Sequence, residues 1–102
     1  MSIEYELYVR SDYDRQPDAD WLWQTVEKLF DGEWIGGGSD FATYTTEFSI
    51  PRALTRQELL DLKALILKEE GVKVELFCEE WKPDAKGQVE GNYIATTLME
   101  HH

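Results

Sequence analysis

The sequence predicts an α+β sandwich in the order β-α-β-β-α-β: a four-stranded antiparallel sheet with two helices on one face. Three observations carry this. Residues 41–50, F-A-T-Y-T-T-E-F-S-I, form the longest run rich in β-branched and aromatic residues, the types that suit a pleated, packed surface. Residues 3–10 and 72–81 alternate apolar and polar with period two. Stretches near 18–31 and 55–71 instead place apolar residues at helical spacing between recognisable caps. The economical assembly of such elements is ferredoxin-like, with the strands that start at Ile3 and Phe41 in the centre.

In the first strand Ile3, Tyr5, Leu7 and Val9 form the inward face, and Glu4, Glu6, Tyr8 and Arg10 the other. Residues 11–17 form a polar loop. Asp18 can cap a helix whose first turn holds Asp20, both acids being favourable at a helix N-terminus. Leu22, Val26, Leu29 and Phe30 follow helical spacing, with Trp23 on the flank, and Gly32 is the expected left-handed cap after Asp31. Glu33, Trp34 and Ile35 make a short second strand. The run Gly36-Gly37-Gly38-Ser39-Asp40 then turns the chain into the strand that begins at Phe41, which Pro51 stops.

Thr55 and Glu58 form a capping box: the hydroxyl serves one free amide, and the carboxylate reaches back to another. The second helix runs to about Glu70 and is capped by Gly71. Leu59, Leu62, Leu65 and Ile66 are its buried stripe, widened by Leu60 and Leu67, with Lys63 snorkelling from the edge. In the last core strand Val72, Val74, Leu76 and Cys78 point inward, and Phe77 and Trp81 lie on the opposite face. Residues 1–81 are thus the expected domain, and 82–102 a linker and tail. Within that tail Val89, Tyr93, Ile94 and Leu98 can add a fifth strand or cover the sheet. The closing Met99-Glu100-His101-His102 reads like the end of an affinity tag.

The chain has 21 acidic and 10 basic residues, a formal charge of −11. Eleven of the acids but only three of the bases fall in residues 1–47. Such a field repels nucleic acid and anionic membranes and attracts basic partners; it also serves plain solubility. No apolar run approaches a membrane span, no basic segment followed by an apolar one opens the chain, and the single Cys78 leaves no internal disulfide. A cytoplasmic location is expected, in a bacterial cell or a host cell.

The open sheet face is the candidate site. Tyr8, Phe41, Phe77 and Trp81 should all point away from the helices. Exposed aromatics on a four-stranded sheet are how RNA recognition motifs stack bases. Here the same face carries Glu4, Glu6, Glu47, Glu75 and Glu79, with only Arg10 and Lys73 nearby, which opposes a phosphate backbone. Two readings follow. The tail or a second copy covers these aromatics, making a homodimer through the sheet face. Or the face docks a basic protein, with the aromatics as anchors and the carboxylates as rim.

Asp12, Asp14, Asp18 and Asp20 form a secondary acidic patch. A calcium-binding EF-hand loop starting at Asp12 would need glycine and glutamate where Pro17 and Trp23 stand, so the cluster reads as a solvated loop plus helix cap, or an acidic contact patch. Trp21 lies near Asp18 and Asp20 on the first helix and is either an exposed anchor or packed on the 11–17 loop. The glycine run precedes a strand and lacks the lysine of a phosphate-binding loop. Catalysis finds little support. The only histidines are terminal, Cys78 should be buried with no histidine to activate it, and nothing on an open face raises a carboxylate pKa. No cofactor motif or metal-ligand set is visible.

Four pieces in this order carry a resemblance: T-V-E-K-L-F at 25–30, the glycine-containing run into a central strand at 36–48, L-T-R-Q-E at 54–58 and E-L-F-C-E-E-W at 75–81. Over about residues 3–81 the chain resembles the small bacterial YggL-type proteins that associate with the large ribosomal subunit. It departs from them in lacking a basic N-terminal segment and a Trp-Glu-Gly in the central strand. The resemblance implies a ribosome-associated protein. The residues themselves favour a non-enzymatic acidic binding protein that occludes a basic surface on its partner, as a nucleic-acid mimic does. Phage-encoded anti-defence inhibitors and toxin-neutralising immunity proteins work by that logic. A third reading is a small-molecule-binding or cofactor-free enzymatic domain of the same fold.

Overall fold

The computed structural model describes residues 4–83 and 89–93. The elements are β1 (Glu4–Asp12), α1 (Ala19–Phe30), β2 (Glu33–Ser39), β3 (Thr43–Ile50), α2 (Arg56–Glu70), β4 (Val74–Pro83) and β5 (Val89–Tyr93). The sheet order is β2-β3-β1-β4-β5, and every neighbouring pair is antiparallel. The first four strands have the ferredoxin-like order expected, with β1 and β3 inside. The tail adds the fifth strand on β4, so the sheet continues past residue 81. Ile3 of the expected inward face, and Ile94, Leu98 and the closing histidines of the tail, lie outside the described residues.

The core lies between the sheet and the helices. Leu7 and Val9 of β1, Phe48 and Ile50 of β3, and Val74, Leu76 and Cys78 of β4 meet Leu22 and Val26 of α1 and Leu59, Leu62 and Ile66 of α2. Alternation on the strands and three-to-four spacing on the helices bring these side chains to one layer. Leu54 and Val72, just outside α2, close it at the ends. Burial of Phe48 alone is worth about 3–5 kcal/mol against alanine.

Both helices start on side-chain caps. The Asp18 carboxylate accepts from Trp21 N at 2.9 Å. Thr55 Oγ1 accepts from Glu58 N at 3.1 Å while Glu58 Oε1 accepts from Thr55 N at 3.0 Å, completing the capping box. Arg52 forks onto the same Glu58 at 2.8 and 2.6 Å. That hydrogen-bonded ion pair, then the Thr55 amide, holds the Glu58 carboxyl down at about 2. Gly71 ends α2 in the left-handed conformation, φ 67°.

The structure corrects several local expectations. The glycine run is not the hairpin turn. Gly36, Gly37 and Gly38 are strand residues of β2, paired with Glu47, Thr46 and Thr45, and a bulge falls at Ile35. The turn is made by Asp40, whose carboxylate accepts from the Ala42 and Thr43 amides at 2.8 and 2.7 Å. Those amide bonds lower its pKa. Phe41 therefore does not begin a strand; it stands fully exposed at the turn. Asp31, not Gly32, is the left-handed cap of α1, φ 53°. Gly32 is needed for closeness instead, since a Cβ there would come within 2.5 Å of Val26 Cγ1. The helical stripes are narrower than the spacing implies: Leu29, Leu60 and Leu67 are exposed, because the sheet covers only the arc around Leu22/Val26 and Leu59/Leu62/Ile66.

Candidate functional site

The register lays the open face out in rows. Glu47, Tyr8 and Phe77 stand opposite one another across β3, β1 and β4; Thr45, Arg10 and Glu75 form the next row; Ser49, Glu6 and Glu79 the one before; and Glu4 faces Trp81. Glu4, Glu6, Tyr8, Glu47, Glu75, Phe77, Glu79 and Trp81 are therefore brought together on this face, whereas Phe41, also expected there, stands at the turn. Their exposure differs from the expectation. Tyr8 and Phe77 are only 8% and 5% exposed. Their rings stack at 4.8 Å and 18°, and the Arg10 guanidinium sits 5.1 Å above the Phe77 ring. Among the described residues, the ring stack, Arg10 and the flanking carboxylates surround these central rings. Trp81, on the neighbouring row, stays partly exposed.

The Tyr8 hydroxyl lies between two carboxylates. It hydrogen-bonds Glu6, two residues back on its own strand, and Glu79 on β4 at 3.0 Å. A phenol has one proton, so it serves one carboxylate at a time, while Glu6 and Glu79 stand directly opposite across the β1–β4 ladder. Burial, then hydrogen bonding to Glu6 and Glu79, holds the phenol far above its ordinary pKa. Arg10 spans the next row, 3.8 Å from Glu75 and 3.5 Å from Thr45 Oγ1. Glu75 Oε2 and Trp81 Nε1 are buried without hydrogen bonds. Towards the β2 edge the face opens into a shallow trough of about 540 Å³. Gly38 helps to make it, with open space where a side chain would stand.

The residues of the secondary patch have separate local roles. Asp18 caps α1, and its own amide donates to Glu70 at 2.5 Å. Asp12 ends β1 in a bridge to Arg15, Asp14 is exposed, and Asp20 lies in the first helical turn. Among the described residues no group of acidic, histidine or cysteine side chains is placed to hold a metal ion. Trp21 is not an exposed anchor. It is partly buried against the core and lines a crevice with Leu29 of α1 and Leu65 of α2. Burial pushes the Cys78 thiol up to about 11.

One feature of the helix side escaped the sequence reading. Between the start of α1 and the β1–β3 end of the sheet lies an apolar cleft of about 210 Å³, floored by Val9, Ser11 and Tyr44 and walled by Leu22, Trp23 and Trp34. Trp23 and Trp34 are half exposed, with ring centroids 6.3 Å apart. Gly37 makes room for Tyr44: a Cβ there would meet the Tyr44 hydroxyl at 2.5 Å. Trp34 shares the face of Phe48 through the register, a signal present in the sequence. That α1 lies beside β2 is not written in any periodicity. Among the described residues no helix is long and apolar enough to cross a membrane. No known protein family, no curated protein and no solved structure matches the chain.

Proposed function

We propose that the chain is a non-catalytic acidic binding protein whose open sheet face occupies a basic surface of a protein partner. The observation that carries this is the gathering of Glu4, Glu6, Glu47, Glu75 and Glu79 on one face, with Arg10 among them and Lys73 beside Arg10 and Glu75. Those carboxylates stand on paired strands over a stacked Tyr8–Phe77 base, so they are held in place before any partner arrives. A fixed acidic surface speeds encounter with a basic one and can stand in for phosphates at a nucleic-acid-binding site. An anti-defence or immunity-type inhibitor would use such occlusion. Tyr8 and Phe77 stiffen the face rather than anchor the partner, which leaves Trp81 as the aromatic contact. Two copies placed face to face would oppose these carboxylates, which favours a basic partner over a homodimer. The raised Cys78 thiol and the raised Tyr8 phenol are both held protonated, which suits binding better than nucleophilic chemistry.

The test is capture from a native lysate of the source cell or its host, at low and high salt, with wild type and the Glu4→Lys/Glu47→Lys double variant. A basic protein retained by wild type at low salt, released at high salt and missed by the variant supports the reading. Capture unaffected by the reversal overturns it. Large-subunit ribosomal proteins arriving together would favour the ribosomal association that the resemblance implies.

A further inference from the structure

We propose that the cleft between α1 and β2 is a second binding site, for a protonated aromatic amine of one or two rings. Its size sets the ligand class. An apolar cavity of roughly 150 Å³ holds benzene, so about 210 Å³ takes a ring with a short side chain but not a drug-sized molecule. Its chemistry sets the ring. Trp23 and Trp34, tilted at 48° to each other, and Tyr44 all line the cleft, an aromatic lining that suits a planar guest.

Charge sets the amine. No lysine or arginine lines the cleft, and Asp20, exposed in the first turn of α1, is among its lining residues. The half-exposed indoles beside it favour a cation over their faces. The surrounding charge of the chain, −11, points the same way. Ser11 adds a polar group: at 5% exposure it is the one buried polar residue among those described, and it is one of the residues that floor the cleft. A buried hydroxyl beside an apolar hollow is where a guest's polar end gains a hydrogen bond that a purely apolar guest forgoes.

The probe is 2-phenylethylamine, compared with 3-phenylpropionate, which has the same ring and opposite charge. The indole N–H resonances of the four tryptophans report the site. Saturable binding that moves Trp23 and Trp34 but not Trp21 or Trp81 is expected, with the anion at least about tenfold weaker. Trp34→Ala, an exposed position, should abolish binding while leaving the circular dichroism spectrum unchanged. Asp20→Asn should weaken binding about fivefold, the effect of one nearby charge in water. Equal affinity for the anion, binding that survives Trp34→Ala, shifts confined to Trp21 or Trp81, or no saturation by about 10 mM, above the weak end of specific ligand affinities, would each overturn the proposal. So would Trp23 and Trp34 shifts that depend on protein concentration alone, which would place a second copy in the cleft.

Discussion

The two faces of the sheet spend their aromatic residues in opposite ways. On the open face Tyr8 and Phe77 are buried among charged neighbours, although no helix among the described residues packs on that face. On the helix side Trp23 and Trp34 are half exposed, although a helix lies beside them. Among the described residues, exposure follows a ring's row in the sheet and the lateral position of the helix. The charged face is thus polar over a packed ring stack, while the helix-side cleft is apolar and open.

This contrast can be broken most directly by truncation. Phe77→Ala should cost about 3–5 kcal/mol in urea unfolding, as for other buried rings. Trp34→Ala should cost under about 1 kcal/mol. Equal costs would mean that the open-face stack is not part of the core. The glycines of β2 sharpen the comparison. Gly37→Ala, which crowds Tyr44 and the Thr45 carbonyl, should destabilise by about 1–2 kcal/mol. Gly38→Ala meets nothing within 4 Å and should fall within about 0.5 kcal/mol of wild type. If the two variants unfold at the same denaturant concentration, β2 does not hold the register described.

Removal of the Tyr8 hydroxyl is a smaller perturbation. Tyr8→Phe keeps the ring stack but leaves Glu6 and Glu79 facing each other without their shared donor, and about 1 kcal/mol of destabilisation is expected. A further small effect belongs to a part of the molecule outside both faces. The Glu58 carboxyl is depressed to about 2 in the folded chain, so its contribution is present above the ordinary carboxylate range and is lost as pH falls from about 4.5 towards 2. Because Arg52 is largely exposed, Glu58→Gln should cost no more than about 1 kcal/mol at pH 7. The gap between variant and wild type should close near pH 2; a gap that does not change with pH would locate the effect in the cap alone.

What was legible in the sequence was whatever depends on local pattern. Alternation placed β1 and the buried side of β4, and spacing with the Thr55–Glu58 box placed α2. What was not legible depends on a partner strand or on lateral position. Three glycines in a row have no strand preference of their own, and only β3, opposite them, makes them a strand. The turn then moved to Asp40, whose side chain supplies the amide acceptors. The acidic face follows from alternation on β1, β3 and β4, so its residues were found. That its central rings are covered, and that a cleft lies on the other side, required the strand order and the seating of α1.

The phenol trapped between Glu6 and Glu79 also gives the protein an internal optical marker. A tyrosine that keeps its proton in alkali keeps the ultraviolet spectrum of a neutral phenol. Of the five tyrosines, Tyr8 should stay silent in an alkaline absorbance titration until the sheet comes apart, then ionise in one step with unfolding. Any molecule that seats on the acidic face and holds it together would delay that step, so the high-pH edge of the spectrum reads occupancy of the surface without a label.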